Sequence, residues 1–178
     1  MNVLNLIHKY YAGQPELEQI LLKHSEDVAQ KVLEIAEAHP EFHLDRQFLF
    51  EAAMLHDIGI LYVDAPGICC HGTKPYICHG MLGAELLRNE GLPAHARVAE
   101  RHTGTGLTKE EILRQSLPLP PRDFVPETLE EKIICYADKF FSKSHLEEVK
   151  TPEQAMRSLE KFGPSCVDTF KAWMSEFE

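Results

Sequence analysis

At 178 residues the chain is long enough to bury a real core within one domain. Apolar residues make up 44% and charged residues 26%, the balance of an ordinary globular protein, and no apolar run approaches the ~20 residues of a membrane span. The formal charge of −10 argues against a nucleic-acid partner, because duplex binding needs a concentrated basic surface. A small phosphorylated ligand stays open, since bound cations can invert the local field.

The segment Met1–Lys9 has no basic leader followed by a long apolar stretch, so a cytoplasmic location is expected. Five cysteines, an odd number, are then expected as reduced thiols. Apolar spacing predicts a long helix over Pro15–Ala38, with Leu17, Leu21, His24, Val28, Val32 and Ile35 on one face. His39-Pro40 ends it. A second helix is predicted over Asp45–Asp57, stopping at Gly59, with columns ending in His56 and Asp57. Residues 60–78, punctuated by Pro66, Gly67, Gly72 and Pro75, read as a loop.

A third helix over His79–Glu90 stops at Gly91, and a fourth begins at Pro93 and places His102 one turn beyond Val98. Thr108-Lys109-Glu110-Glu111 is a capping box that opens a short helix. The proline-rich stretch 116–126 reads as stiff and extended. A fifth core helix is predicted over Glu127–Phe141, with Ile134, Asp138 and Phe141 on one face. Thr151-Pro152-Glu153-Gln154 opens the first of two closing helices, separated by Gly163-Pro164-Ser165 from a last one running through Trp173. No stretch alternates as a strand, so the fold class is all-α.

Against this regular patterning, His24, His56, Asp57, His79, His102 and Asp138 occupy apolar faces or helix ends. A lone histidine on such a face is ordinary, but a buried carboxylate such as Asp138 costs several kcal/mol unless it is compensated. Neutral imidazole and carboxylate are the donors of Fe, Mn, Zn and similar divalent ions, and a shared metal centre explains all six with one cause. His56 and Asp57 are adjacent and so diverge by about 100° on a helix. Both can reach one site only if the helix ends there, and Asp57 could then bridge two ions.

Here the residues resemble the HD superfamily of metal-dependent phosphohydrolases, in its HDIG form: His56-Asp57-Ile58-Gly59 stands letter for letter, after His24 and before His79, His102 and Ala137-Asp138-Lys139. Arg101-His102-Thr103-Gly104 with Glu131-Lys132-Ile133-Ile134 is also similar to bacterial HD-type diadenosine polyphosphate hydrolases. The resemblance implies a single HD-domain helical bundle over 1–178, its core about 16–145, with a C-terminal helical extension over 151–178. It implies that His24, His56, Asp57 and Asp138 hold one ion and that Asp57 bridges to a second, held by His79 and His102. Iron is the first candidate for the two divalent metal ions, with Mn, Zn, Ni and Mg as others. The implied activity is hydrolysis of a small phosphorylated compound, a nucleotide in the first instance, by metal-activated water, with Asp57 as the catalytic residue. Homo-oligomer formation stays open.

One departure matters: many HD hydrolases carry a lysine just after the HDxG core, where this chain has Ile60 and Leu61. Arg101, Lys139 and Lys143 are candidate substitutes, each read also as a solvated surface charge. Thr103-Gly104-Thr105-Gly106 either lets backbone amides approach phosphate or is a simple turn. Cys69-Cys70-His71 and Cys78-His79 fit no standard zinc spacing and are read as loop thiols. Two other functions share the ligand pattern: an HD-fold di-iron oxygenase, and a non-catalytic nucleotide-binding sensor.

Overall fold

The computed structural model describes residues 2–178. Nine helices appear among them: α1 Val3–Tyr11, α2 Pro15–Ala38, α3 Arg46–Leu55, α4 His79–Asn89, α5 Pro93–Arg101, α6 Lys109–Arg114, α7 Leu129–Asp138, α8 Pro152–Leu159 and α9 Pro164–Phe177. The chain is all-α as expected, apart from one two-residue antiparallel pair, β1 Asp64–Ala65 with β2 Cys70–His71. That pair and three 3₁₀ turns fill the stretch expected as a plain loop. None of the helices is long and apolar enough to cross a membrane.

The predicted helix α2 matches its expected bounds, and it runs between α3 and α7. Its buried stripe of Leu17, Leu21, Val28, Val32 and Ile35 carries His24 into the interior. The first helix, α1, lay outside the sequence reading, which weighed those residues only as a leader. Val3, Leu6, Ile7 and Tyr11 form its buried face, and the Tyr11 hydroxyl donates to the Ile58 carbonyl at 2.8 Å. That bond ties the N-terminal helix to the turn that follows His56-Asp57.

Three boundaries differ for local reasons. Helix α3 stops at Leu55, with His56 as its C-cap, so Asp57 (φ −104°, ψ 9°) already lies outside it. Helix α7 is shorter than predicted at both ends. Thr128 and Glu131 form a full capping box there, which makes Thr128 the cap and leaves Glu127 outside. At the other end the Lys139 amide turns back to the Tyr136 carbonyl at 3.1 Å. The 116–126 stretch is not uniformly extended either: Ser116 adopts φ +51°, and only Phe124 forms strand-like bonds, exchanging both with Leu107 (3.0 and 2.8 Å).

The two closing helices belong to the same buried cluster as the rest. Phe170 and Phe177 of α9 pack on Tyr136 of α7 with ring centroids 5.0 and 5.5 Å apart, and the Tyr136 hydroxyl donates to Glu178 at 2.9 Å. Aromatic pairs of this kind contribute about 0.5–1.5 kcal/mol each beyond their buried area. They fix the axis of α7, and therefore where Asp138 at its end points.

Candidate metal centre

Five of the six predicted residues sit at helix ends. His56 caps α3, Asp57 follows it, His79 opens α4, His102 caps α5 and Asp138 closes α7; His24 alone projects from mid-helix. The structure brings all six together. His24, His56, Asp57 and Asp138 offer donor atoms within 4.8 Å of one another, and so do Asp57, His79 and His102. Asp57 divides its oxygens between the two groups. Its Oδ2 lies 3.1 Å from Nε2 of both His24 and His56, and its Oδ1 lies 3.3 Å from Nε2 of both His79 and His102. Asp138 Oδ1 completes the first group at 3.0 Å from His24 and 3.4 Å from His56.

One local device aims three of the imidazoles. His56, His79 and His102 each bond through Nδ1 to the carbonyl three residues upstream, in Ala53, Tyr76 and Ala99, at 2.6, 2.6 and 2.8 Å. A carbonyl can only accept, so Nδ1 carries the proton and Nε2 presents a lone pair. The Ala53 and Ala99 carbonyls lie in the last turn of a helix, where such carbonyls lack an intrahelical amide, and the Tyr76 carbonyl also accepts from the His79 amide. The device thus satisfies the backbone and fixes the tautomer together.

Glycines make the convergence possible. A Cβ on Gly59 would stand 2.2 Å from the His79 carbonyl oxygen and 2.4 Å from the Gly83 nitrogen. A Cβ on Gly80 would stand 2.5 Å from the Ala99 carbonyl oxygen. Backbone therefore touches backbone where the turn after Asp57 meets α4, and again where α4 meets α5. Gly59→Ala should lower unfolding stability by about 3 kcal/mol or more, read by chemical denaturation, because rigid backbone must move. Metal retention should fall with it.

The buried donors of the cluster do not satisfy one another by hydrogen bonds. His24 Nε2, His56 Nε2 and both Asp57 oxygens are fully buried and lack a hydrogen-bonding partner, although they lie about 3 Å from one another. Burial opposes charge on Asp57, yet Lys143 and His56 hold its carboxyl well below the usual range. Burial likewise opposes charge on His56, but Asp57 and Asp138 raise it to about 9, drawing in a proton. Burial dominates at His79, which falls to about 3, and also depresses His102. Their Nε2 atoms face each other at 3.0 Å, an approach two imidazolium groups could not make.

These donors fit divalent ions. Ligands about 2.1 Å from a common centre are separated by about 3.0 Å in an octahedron and about 3.4 Å in a tetrahedron. Within each group the histidine-to-carboxylate distances run from 3.0 to 3.4 Å. Four imidazoles, three of them with the tautomer fixed by a backbone carbonyl, and two carboxylates make a donor set of the kind divalent ions take.

A cleft of about 470 Å³ opens onto this cluster. Thr103, Gly104, Lys139 and Lys143 line it as expected, and Lys150 and Lys161 line it too. The reading of Lys139 and Lys143 as surface charges is corrected. Lys143 Nζ lies 2.5 Å from Asp57 Oδ2, and Lys139 Nζ lies 2.6 Å from Asp138 Oδ2 and donates to the His102 carbonyl at 2.7 Å. Arg101 is corrected the other way: it does not line the cleft but pairs with Glu127 and Glu131 at 3.0 and 3.2 Å.

The glycine-containing turn after His102 does not hold out the amides of Thr105 and Gly106. Thr105 N–H points at Cys166 Sγ (3.2 Å) and Gly106 N–H at the Thr103 carbonyl (2.9 Å). None of the five cysteines forms a disulfide, and His71 is exposed and does not line the cleft. Sequence reasoning missed Lys150 and Lys161. No local spacing marks them: the pairing of Phe141 with Val149 is what brings Lys150 back to the cleft.

A family model described as HD domain matches residues 21–142. The chain is 36% identical over 135 residues to a tRNA (cytidine(56)-2'-O)-methyltransferase of Picrophilus torridus, covering 75% of this chain and 35% of that protein. It is 33% identical over 140 residues to a protein of the same name from Thermoplasma volcanium, covering 78% and 35%. An uncharacterized protein of Methanocaldococcus jannaschii is 38% identical over 121 residues, covering 66% of this chain and 64% of its own length. The chain thus spans about a third of each of the two methyltransferases it matches. No solved structure matches it.

Proposed function

We propose that this chain, which belongs to the HD-domain family, is a metal-dependent phosphohydrolase that acts on a small phosphorylated compound of the nucleotide class. The observation that carries the reading is the pairing of a divalent-ion ligand set with a lysine-lined cleft in a chain of net charge −10. His24, His56, Asp57 and Asp138 would hold one ion; Asp57, His79 and His102 would hold a second. When bound, such ions polarise a phosphoryl oxygen and lower the pKa of a coordinated water. Iron is the first candidate, and Mn, Zn, Ni and Mg also suit the donors.

The chain's own residues supply the rest. Asp57 keeps the two groups in register by offering one oxygen to each. Lys143 lines the cleft with its Nζ 2.5 Å from Asp57 Oδ2, where its ammonium would meet a substrate phosphate. It reaches the site from beyond α7 and so replaces the lysine absent after Gly59. Lys139 is fixed by Asp138 and the His102 carbonyl, and it orients both ligands. Tyr76, 39% exposed and with its ring centroid 4.7 Å from that of His79, offers a flat aromatic face for a base at the cleft mouth.

Lys143→Met should leave metal content unchanged and lower kcat/KM about 10- to 100-fold, the value of one charge-assisted bond to phosphate. The reading itself is tested on anaerobically prepared, metal-loaded protein. Phosphate release from a panel of phosphate esters and nucleotides supports it; oxygen uptake without phosphate release would establish the di-iron oxygenase instead. Ligand-induced stabilisation without turnover would establish the sensor.

The relatives' names favour a second reading of the substrate. Two are named for modifying a tRNA, and this chain matches only a third of each. This chain carries a cluster of metal-type donors, which transfer of a methyl group to a ribose hydroxyl does not require. On this reading the HD unit serves a phosphate on RNA rather than a free nucleotide. Release of phosphate from an RNA oligonucleotide terminus, at a kcat/KM above that for mononucleotides, would favour it and overturn the charge-based expectation of no nucleic-acid partner.

A further inference from the structure

The family match ends at residue 142, yet one side of the cleft is built from residues beyond it: Lys143, Lys150, Ser158, Lys161 and Phe162. A short closed turn places the first two. The Lys150 amide donates to the Phe140 carbonyl at 2.8 Å, and Phe141 and Val149 form an antiparallel bridge, so the chain leaves α7 and returns beside it. Lys150 thereby comes back next to Lys139. Lys161 follows from the 3₁₀ turn Glu160–Phe162, its ammonium 5.0 Å from the Phe162 ring centroid.

The four lysines of the cleft are not equivalent. Lys139 and Lys143 are paired with Asp138 and Asp57. Lys150 and Lys161 form no ion pair among the described residues, although Lys150 is only partly exposed. Burial lowers the Lys150 pKa, and Lys139, Lys143 and Lys161 push it the same way against the pull of Asp138. A partly buried ammonium facing three like charges is unfavourable unless an anion lies among them. Only Asp138 represents negative charge on the remainder of the cleft lining.

We infer that Lys150 and Lys161 form a second anion subsite, which holds another phosphate of a substrate whose reacting phosphate lies at the His/Asp cluster. This deepens and rests on the phosphohydrolase reading. It narrows the substrate class to compounds carrying two or more phosphates, because a monoester leaves both lysines uncompensated. It also assigns substrate selection to the C-terminal segment and chemistry to the matched helices.

The test uses metal-loaded protein titrated with inorganic phosphate and with methylenebisphosphonate, a two-phosphate mimic without a hydrolysable bridge. Each is supplied as its magnesium complex, and metal content is measured afterwards. The wild type should bind the bisphosphonate at least ~10-fold more tightly than phosphate. The double variant K150Q/K161Q should bring the two within about 2-fold of each other, with phosphate affinity and metal content unchanged. Should the double variant fail to fold, the exposed K161Q alone must weaken bisphosphonate binding by at least ~3-fold. No preference in the wild type, or a preference that survives the substitutions, overturns the subsite. Release of phosphate from monoesters without any bisphosphonate preference would remove the subsite and leave the phosphohydrolase reading standing. A lysine-dependent preference with no phosphate released from any ester would do the reverse.

Discussion

Asp57→Ala should abolish turnover, by at least about 10³-fold in kcat, and should release at least one ion per chain. The size follows from the several kcal/mol of charge stabilisation that a bound cation supplies at a phosphoryl group, each 1.36 kcal/mol being a factor of ten. The direction follows from geometry. Asp57 alone belongs to both donor groups, so its loss removes a ligand from each, whereas His24→Ala or His102→Ala removes one from a single group. Asp57→Asn keeps the shape and one acceptor oxygen but not the charge, and should retain more metal than Asp57→Ala. Metal analysis and phosphate release on the same samples check both points. Full metal content in Asp57→Ala would refute the bridging role.

Removing the metal should change both the size and the pH dependence of stability. A ligand at a thousandfold excess over its dissociation constant stabilises by about 4 kcal/mol, so chelation should lower Tm by roughly 10 °C in a chain of this size. In metal-free protein His79 is held neutral to about pH 3 and His102 is also depressed, both chiefly by burial. The unfolded chain takes up those protons near pH 6.5 and the folded one does not, so stability is lost as pH falls from about 6.5 toward 3. His56 has the opposite sign. Against its burial, Asp57 and Asp138 raise it to about 9. The folded chain keeps that proton between pH 6.5 and 9, so this contribution is lost as pH rises through that window. Each group contributes a slope of up to about 1.4 kcal/mol per pH unit. Denaturant titrations of metal-free protein should therefore show a maximum near pH 6.5. The alkaline decline should disappear on metal loading, since a lone pair given to an ion is no longer available to a proton.

The helices were legible because their signals are local. Two capping boxes, at Thr108 and Thr151, set N-termini within a few residues, and the stripe of α2 gave the inward direction of His24. The convergence of His24, His56, Asp57, His79, His102 and Asp138 was legible for a different reason: charged and polar groups at otherwise apolar addresses need a common compensation. What stayed hidden depends on tertiary contacts. Lys143 and Lys150 look like solvent-facing charges in a polar segment until the Phe140–Lys150 and Phe141–Val149 pairings fold that segment over the cleft. Arg101 beside a ligand looked poised for substrate, but Glu131, a capping-box residue of α7, claims it from a distant part of the chain. The need for Gly59 to be glycine arises from the approach of α4, so no spacing within its own segment reveals it.

Anomalous diffraction from crystals of anaerobically prepared protein, collected at the absorption edge of the metal found by elemental analysis, tests the central claim most directly. The account predicts one peak amid His24, His56, Asp57 and Asp138, and another amid Asp57, His79 and His102. Well-ordered side chains in the positions described above with no anomalous signal among them, after incubation with each candidate ion, would contradict it.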